Sequence, residues 1–415
     1  MTDAPQSVRA SLRSLPRNVW ATTLTSFFTD ISTEMIVNLL PLYLANVLGV
    51  RTNVIGLIEG VADSTASILK VFSGWFSDKL RRRKGLTILG YSLSAFSKPF
   101  LYFAATWPGV LAVRFADRVG KGIRTAPRDA LIADSVSSEN RGLAFGVNRT
   151  GDTLGAFTGL AVALLVVLVT QAHSVGLARD TFQTIVLVSI VPAVLAVLVL
   201  ALWARETPVT GTRAAPRLSL KEMPPAFRHF LLIVIIFTLG NSSDAFLILR
   251  AQERGLSVPA VLGMLMTFNL VYALLSGPAG ALSDRIGRRR LIVIGWTVYG
   301  LIYIGFALVQ AGWQVWALYG LYGIYYAAFD GTARAFVADF IPVEKRGTAY
   351  GIYNTAVGIV ALPASLLAGI LWQGVGGWAG FGPAAPFVAG AVLALVALVL
   401  LLRWQPGKSN SVTVS

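Results

Sequence analysis

Gly74-Trp-Phe-Ser-Asp78-Lys-Leu-Arg81-Arg82-Arg83 and Gly280-Ala-Leu-Ser-Asp284-Arg-Ile-Gly287-Arg288-Arg289 are two copies of one pattern, each set between two long apolar runs. A second set follows each copy. Asp134, Glu139, Arg141, Gly142 and Gly146 recur as Asp339, Glu344, Arg346, Gly347 and Gly351 with identical internal spacing. Two independent matches at nearly one offset mark a duplicated chain.

The apolar runs around these copies decide the fold class. Of 415 residues, 55% are hydrophobic and 13% charged, too little charge to wet the surface of a water-soluble domain. In a bilayer the outer surface can itself be apolar, and backbone satisfaction then demands helices or a closed barrel. The runs are continuous over about 20 residues, which suits helices rather than barrel strands. Spans fall at roughly 19–47, 54–77, 86–105, 109–134, 142–170, 182–203, 229–250, 258–281, 291–310, 313–338, 347–374 and 385–403. The expectation is an all-α membrane protein of twelve transmembrane helices in two six-helix bundles, 19–203 and 229–403. A Pro-bearing linker at 204–228, with Pro208, Pro216, Pro224 and Pro225, joins them, and tails of 1–18 and 404–415 flank them.

The net charge of +15 sits mostly in short connections, where it sets topology rather than contacting nucleic acid. Lys79, Arg81, Arg82, Arg83, Lys84, Arg141, Arg205, Arg213, Arg217, Lys221, Arg228, Arg285, Arg288, Arg289, Arg290, Lys345 and Arg346 all fall in even-to-odd connections. The opposite connections offer little beyond Arg51, Arg179 and Arg254. Both termini are therefore expected in the cytosol of a plasma (inner) membrane. The first twenty residues lack the apolar core of a signal peptide and read as a tail with Arg9, Arg13 and Arg17. The absence of cysteine removes thiol chemistry, and two histidines, His173 and His229, make no metal centre.

With these motifs the chain resembles the major facilitator superfamily over essentially its whole length. The second copy closely matches that family's loop signature between spans two and three, G-x-x-x-D-R-x-G-R-R. The first copy departs from it at Lys79 and Arg81. The resemblance implies alternating access and a gate. Gly74, Asp78 and Arg82, with Gly280, Asp284, Arg285, Gly287 and Arg288, would form it together with Asp134, Arg141, Asp339 and Arg346. It also implies that spans one, four, seven and ten line a central cavity. Gly151, Gly155 and Gly159 in span five resemble the family's antiporter motif, with Ala156 where proline is usual. Close helix packing explains the same stripe.

Ionisable groups inside spans are costly and mark pathways. They collect in those same four spans. Asp30, Glu34 and Asn38 share one face of span one, and a carboxyl withdrawn from water there is a candidate proton carrier. Arg114, Asp117, Arg118, Lys121, Arg124, Arg128 and Asp129 share a face of span four, with Lys121 and Arg124 expected near the midplane. Such a cationic surplus calls for the carboxylates of span one or for an anionic solute. Span seven offers Asn241, Ser242, Ser243 and Asp244, with Arg250 near its outer end. Span ten offers Tyr319, Tyr322, Tyr326 and Phe329, then Asp330 and Arg334 as an i, i+4 ion pair.

The expected function is proton-coupled efflux of a small organic solute. Asp30 and Glu34 would exchange protons, and Asn38, Arg118, Lys121, Arg124, Asn241, Asp244, Tyr322, Tyr326 and Asp330 would contact substrate. One alternative is an organic-anion transporter or importer built on the basic face of span four. Another is a receptor or scaffold, which would be expected to lose the midplane charges. No phosphate loop, nucleophile motif or loop large enough for an active site supports an enzyme, and no cofactor is called for. The expected partners are the solute, protons and the lipid bilayer, with a monomer as default.

Overall fold

The computed structural model of the protein describes residues 15–80, 82–172, 174–207, 219–342 and 345–404, apart from the side chains of Asp78 and Ser138. Arg9, Arg13, Arg81, His173, Pro208, Arg213, Pro216, Arg217 and Glu344 lie outside the described residues, as do nearly all of both expected tails.

Twelve helical rods run in chain order, and no strand occurs among the described residues. Span one is Arg17–Val37 prolonged by Leu40–Leu42 and a π-turn at Tyr43–Val47. Span two is Thr52–Leu80, and span three is Arg83–Ser97 ending in a 3₁₀ turn at Lys98–Tyr102. Spans four, five and six are Trp107–Ser135, Arg141–Gln171 and Arg179–Trp203. Span seven is Pro225–Gly240 and Ala245–Glu253. Spans eight to twelve are Val258–Ile286, Arg288–Leu308, Gly312–Asp339, Arg346–Gln373 and Ala385–Arg403. Spans five to nine, eleven and twelve are long and apolar enough to cross a membrane on length and composition alone. The intramembrane carboxylates and cations concentrate in the remaining five.

Two rods are broken, each for a local reason. Pro41 cannot donate to Val37, and its ring crowds that carbonyl, so the helix of span one stops there and restarts. In span seven the run Gly240-Asn241-Ser242-Ser243 offers short polar side chains that compete with the backbone for hydrogen bonds. The groups freed by this break find partners. Tyr299 Oη donates to the Gly240 carbonyl at 3.0 Å, the Ser243 amide donates to Ser365 Oγ at 3.2 Å, and the Ala245 amide donates to Ser243 Oγ at 3.3 Å. Non-helical backbone at membrane depth survives only when so satisfied.

The chain divides into two compact units. Unit one is Met1–Val37, Leu69–Val166 and Phe182–Ala215; unit two is Asn38–Ile68, Val167–Thr181 and Pro216–Ser415. The division cuts across spans one, two, five and six. In unit one, Ala21, Tyr91, Leu131, Leu200 and Ala204 form a buried cluster. In unit two, the first part of span two lies against span eleven with almost no side chain between them. A methyl group at Gly56 or Gly369 would run into the Ser365 or Thr52 carbonyl. Thr52 Oγ1 donates to the Gly369 carbonyl at 2.9 Å and Ser64 Oγ to the Gly358 carbonyl at 2.6 Å. Small residues let helix backbones approach where lipid supplies no hydrophobic drive between them. Asn46 and Gln252 extend this seam, each amide donating to the other at 2.7 and 2.8 Å.

Candidate functional site

Unit one contains a buried charge network built from spans one, three, four and five. Asp117 is its anchor: it accepts from Ser94 Oγ and has Arg118 Nε at 3.6 Å and Arg114 Nη1 at 3.9 Å. Arg128 reaches Asp129 at 2.9 Å, Ser26 Oγ at 3.0 Å and Asp152 of span five at 3.9 Å. Lys98, 4% exposed, donates to Ser32 Oγ and Thr33 Oγ1 of span one, both at 2.9 Å.

Asp30 lies within electrostatic reach of Glu34, Asp152, Lys121 and Arg124. The sequence placed these carboxylates and cations in different spans, and the fold brings them together. The glycine stripe explains how the carboxylates are held. Span five approaches span one so closely that a methyl at Gly155 would stand 3.1 Å from Asp30 Cβ, and one at Gly159 3.2 Å from Glu34 Cβ. Arg124 stacks over the Tyr91 ring at 4.4 Å. Its Nη1 is buried without a hydrogen-bond acceptor. Lys121, one turn away, is exposed, and no ion pair forms at Lys121 or Arg124 among the described residues.

Unit two presents a different surface around the break in span seven. Tyr322 Oη donates to Asn241 Oδ1 at 3.2 Å and approaches Asp244 Oδ1 at 3.5 Å; Tyr303 donates to Asn241 at 3.4 Å. Tyr326 lies beside Asp244 on the same face of span ten as Tyr322. Phe268 and Tyr272 pack on the tyrosines of span ten, with Phe268–Tyr326 centroids 5.3 Å apart. Asn38, half-buried, marks the break in span one. Asp330 stands apart from this group, paired with Arg334 at 3.2 Å on a half-exposed face. Arg250 is buried and closes the end of span nine through the Phe306 and Ala307 carbonyls.

The gate residues form the same arrangement twice. Arg288 pairs with Asp339 and donates to the Ala335 carbonyl at 3.0 Å, with Asp284 at 3.8 Å. Arg83 pairs with Asp134 and donates to the Ala130 carbonyl at 3.1 Å. The first-half counterpart of Arg288 is thus Arg83, whereas Arg82 is exposed and precedes the helix. One more residue separates Asp78 from Arg83 than separates Asp284 from Arg288, which shifts the register of the ungapped match. Gly287 has φ 92°, a left-handed conformation that ends span eight and favours glycine. Arg141 and Arg346 return to the Ala133 and Ile341 carbonyls at 3.3 and 3.4 Å. A methyl at Gly74 would stand 3.3 Å from Ala126 Cβ, Gly280 is open and Arg285 is exposed.

Several participants escape the sequence pattern. Lys98 is a single lysine at a span end, Asp152 lies beside the glycine stripe, and Asp63 of span two reaches Asp244 electrostatically. Tyr299 and Tyr303 sit on span nine, outside the four spans the resemblance singles out.

The family model of the Major Facilitator Superfamily matches residues 22–267 and 230–414. The chain belongs to the major facilitator superfamily. It is a multi-pass membrane transporter with a small-molecule substrate, not an enzyme. An uncharacterized MFS-type transporter of Methanocaldococcus jannaschii is 37% identical over 94% of this chain and 95% of its own length. The multidrug resistance protein MdtG of Salmonella newport is 26% identical over 72% of this chain and 74% of its own. Among solved structures, this facilitator shares its fold with a bacterial homolog of the human lysosomal transporter Spinster. That match has a TM-score of 0.77 and 16% identity, covering 97% of this chain and 100% of the other.

Proposed function

We propose that this chain is a proton-coupled secondary transporter of a small organic solute, with Asp30 and Glu34 as the proton carriers. One observation carries the proposal. Asp30 faces Lys121 and Arg124, two cations that have no ion pair of their own. A proton on Asp30 changes how firmly those cations are held, so proton occupancy and solute occupancy interact through one cluster. The residues around Asp244, Asn241, Tyr322 and Tyr326 supply further contacts for solute in unit two. Arg118, tied to Asp117, keeps the cluster in place. Export is suggested by the Salmonella relative, whose name is that of a multidrug resistance protein. The glycine stripe adds nothing to that direction, because packing beside Asp30 and Glu34 accounts for it. On this reading the chain works as a monomer in the plasma membrane with both termini cytosolic and the gate arginines at the cytosolic face, as the basic even-to-odd connections suggest.

Purified protein in liposomes with an internal pH-sensitive dye tests this. Benzoate, lactate, phosphate, tetraphenylphosphonium and ethidium are added in turn, and proton movement is recorded. Solute-dependent proton movement is expected in the wild type and is lost in Asp30→Asn or Glu34→Gln, while solute exchange without a pH gradient persists. Unchanged proton movement in both variants removes the proton-carrier assignment.

A further inference from the structure

Lys121 and Arg124 are positioned to hold an anion. Arg124 is 7% exposed, and its guanidinium carbon lies over the Tyr91 ring, 4.4 Å from the centroid. Its Nη1 is buried with no acceptor, an arrangement that costs stability unless something accepts from it. A guanidinium fork matches the two oxygens of a carboxylate or phosphate. Lys121 stands one turn away, its side chain not covered by protein and without an ion pair, and adds a second donor. The other cations of the network are already engaged. Arg128 is held by Asp129 and Asp152, Arg118 by Asp117, and Lys98 by two hydroxyls.

The groups facing Asp30 fix the sign of the coupling. Glu34 shares its span, Asp152 faces it from span five, Lys121 and Arg124 from span four, and Lys98 from span three. A negative Asp30 competes with any anion for Lys121 and Arg124, and repels it as well. A neutral Asp30 does neither. We propose that Lys121 and Arg124 bind the carboxylate or phosphate group of an anionic solute, and that this solute and a proton on Asp30 are carried together in the same direction. The proton enters Asp30 from water on one side and returns to water on the other. Such co-transport runs outward whenever the solute's own gradient is the steeper, so it is compatible with export. The inference rests on Asp30 as a proton carrier.

Binding of benzoate and of inorganic phosphate is measured by thermal stabilisation between pH 6 and pH 8, in phosphatidylcholine nanodiscs. In the wild type the better ligand is expected to tighten by up to about tenfold per unit fall in pH, the limit for one linked proton. Lys121→Gln should weaken it at every pH, and Arg124→Lys, which keeps the charge but loses the fork, should weaken it by about tenfold or more. Asp30→Asn should bind at pH 8 as the wild type binds at pH 6, without pH dependence. Anions that bind the wild type no better than Lys121→Gln and Arg124→Lys, or do not bind at all, overturn the proposal and leave the proton-carrier assignment standing. A pH dependence of benzoate binding, whose own charge is constant over this range, that survives in Asp30→Asn overturns the proposal; the proton-carrier assignment falls only if it survives in Glu34→Gln as well. Repeating the measurement with phosphatidylglycerol separates the two sources of such an anion. Loss of benzoate or phosphate binding there, in the wild type alone, assigns the site to a lipid headgroup and overturns solute transport through it.

Discussion

Span four in unit one and span ten in unit two are the same element of the duplicated chain, yet they carry opposite chemistry. The shared pairs Arg83–Asp134 and Arg288–Asp339 fix the correspondence. At that offset Arg114, Asp117, Lys121 and Arg124 fall on Tyr319, Tyr322, Tyr326 and Phe329. A face of charges in one copy has become a face of rings in the other. The surrounding residues have changed with it. Asp117 is held by two arginines and a serine, whereas Tyr322 leans on Asn241 and Asp244 and lies in a crowd of aromatic rings. The conserved geometry of the frame therefore says little about the solute. The residues replaced between the copies carry that information.

The largest expected effect is at Asp117. Replacing it with asparagine removes the carboxylate that Arg114 and Arg118 share in a buried network, and should lower the stability of the detergent-solubilised protein by about 3–5 kcal/mol. A melting curve close to that of the wild type would mean that the network is solvated and that the contrast with span ten is shallow. Next come the two gate arginines. Arg83→Ala should destabilise more than Arg288→Ala, by about 2 against about 1 kcal/mol, because the side chain of Arg83 is 9% exposed and that of Arg288 32%. Equal losses would show that burial does not separate the two latches.

Tyr322→Phe, at the position equivalent to Asp117, removes one hydroxyl and keeps the ring, so its cost should be about 1 kcal/mol. A cost as large as that of Asp117→Asn would make the unit-two hydrogen bonds as critical as the unit-one ion pairs. The smallest effect belongs to Asp330→Asn. Its bond to Arg334 is half-exposed and within one helix, worth about 0.5 kcal/mol or less. Transport lost in that variant without loss of stability would restore Asp330 to the solute pathway.

The frame was legible in the sequence because apolar length and duplicated loop motifs are local signals. The Asp330–Arg334 pair was legible too, since i, i+4 spacing on a helix is enough to place it. The register of the first gate was not: the extra residue between Asp78 and Arg83 is invisible without the ion pair that Arg83 makes. Lys98 was missed because its partners, Ser32 and Thr33, lie far off in the chain and look like ordinary polar residues of a span. Asp152 was hidden by the glycines beside it, whose role in bringing span five against Asp30 emerges only when the helices are packed. Tyr299 became visible only when a carbonyl released by the break in span seven needed a donor.

The seam in unit two has one more consequence. Its contacts at Asn46, Gln252, Thr52, Ser64, Gln373 and the facing glycines are hydrogen bonds and backbone approaches between neutral groups. Breaking these neutral contacts moves no charge through the membrane's electric field by itself, so any response of the seam's opening to voltage would come from Glu59 and Asp63, which ride on span two. The larger share of any sensitivity of the whole cycle to membrane potential would then arise in unit one, where the arginines, lysines and carboxylates of span four and its neighbours are gathered. Glu59, Asp63 and Asp244 are the unit-two contribution.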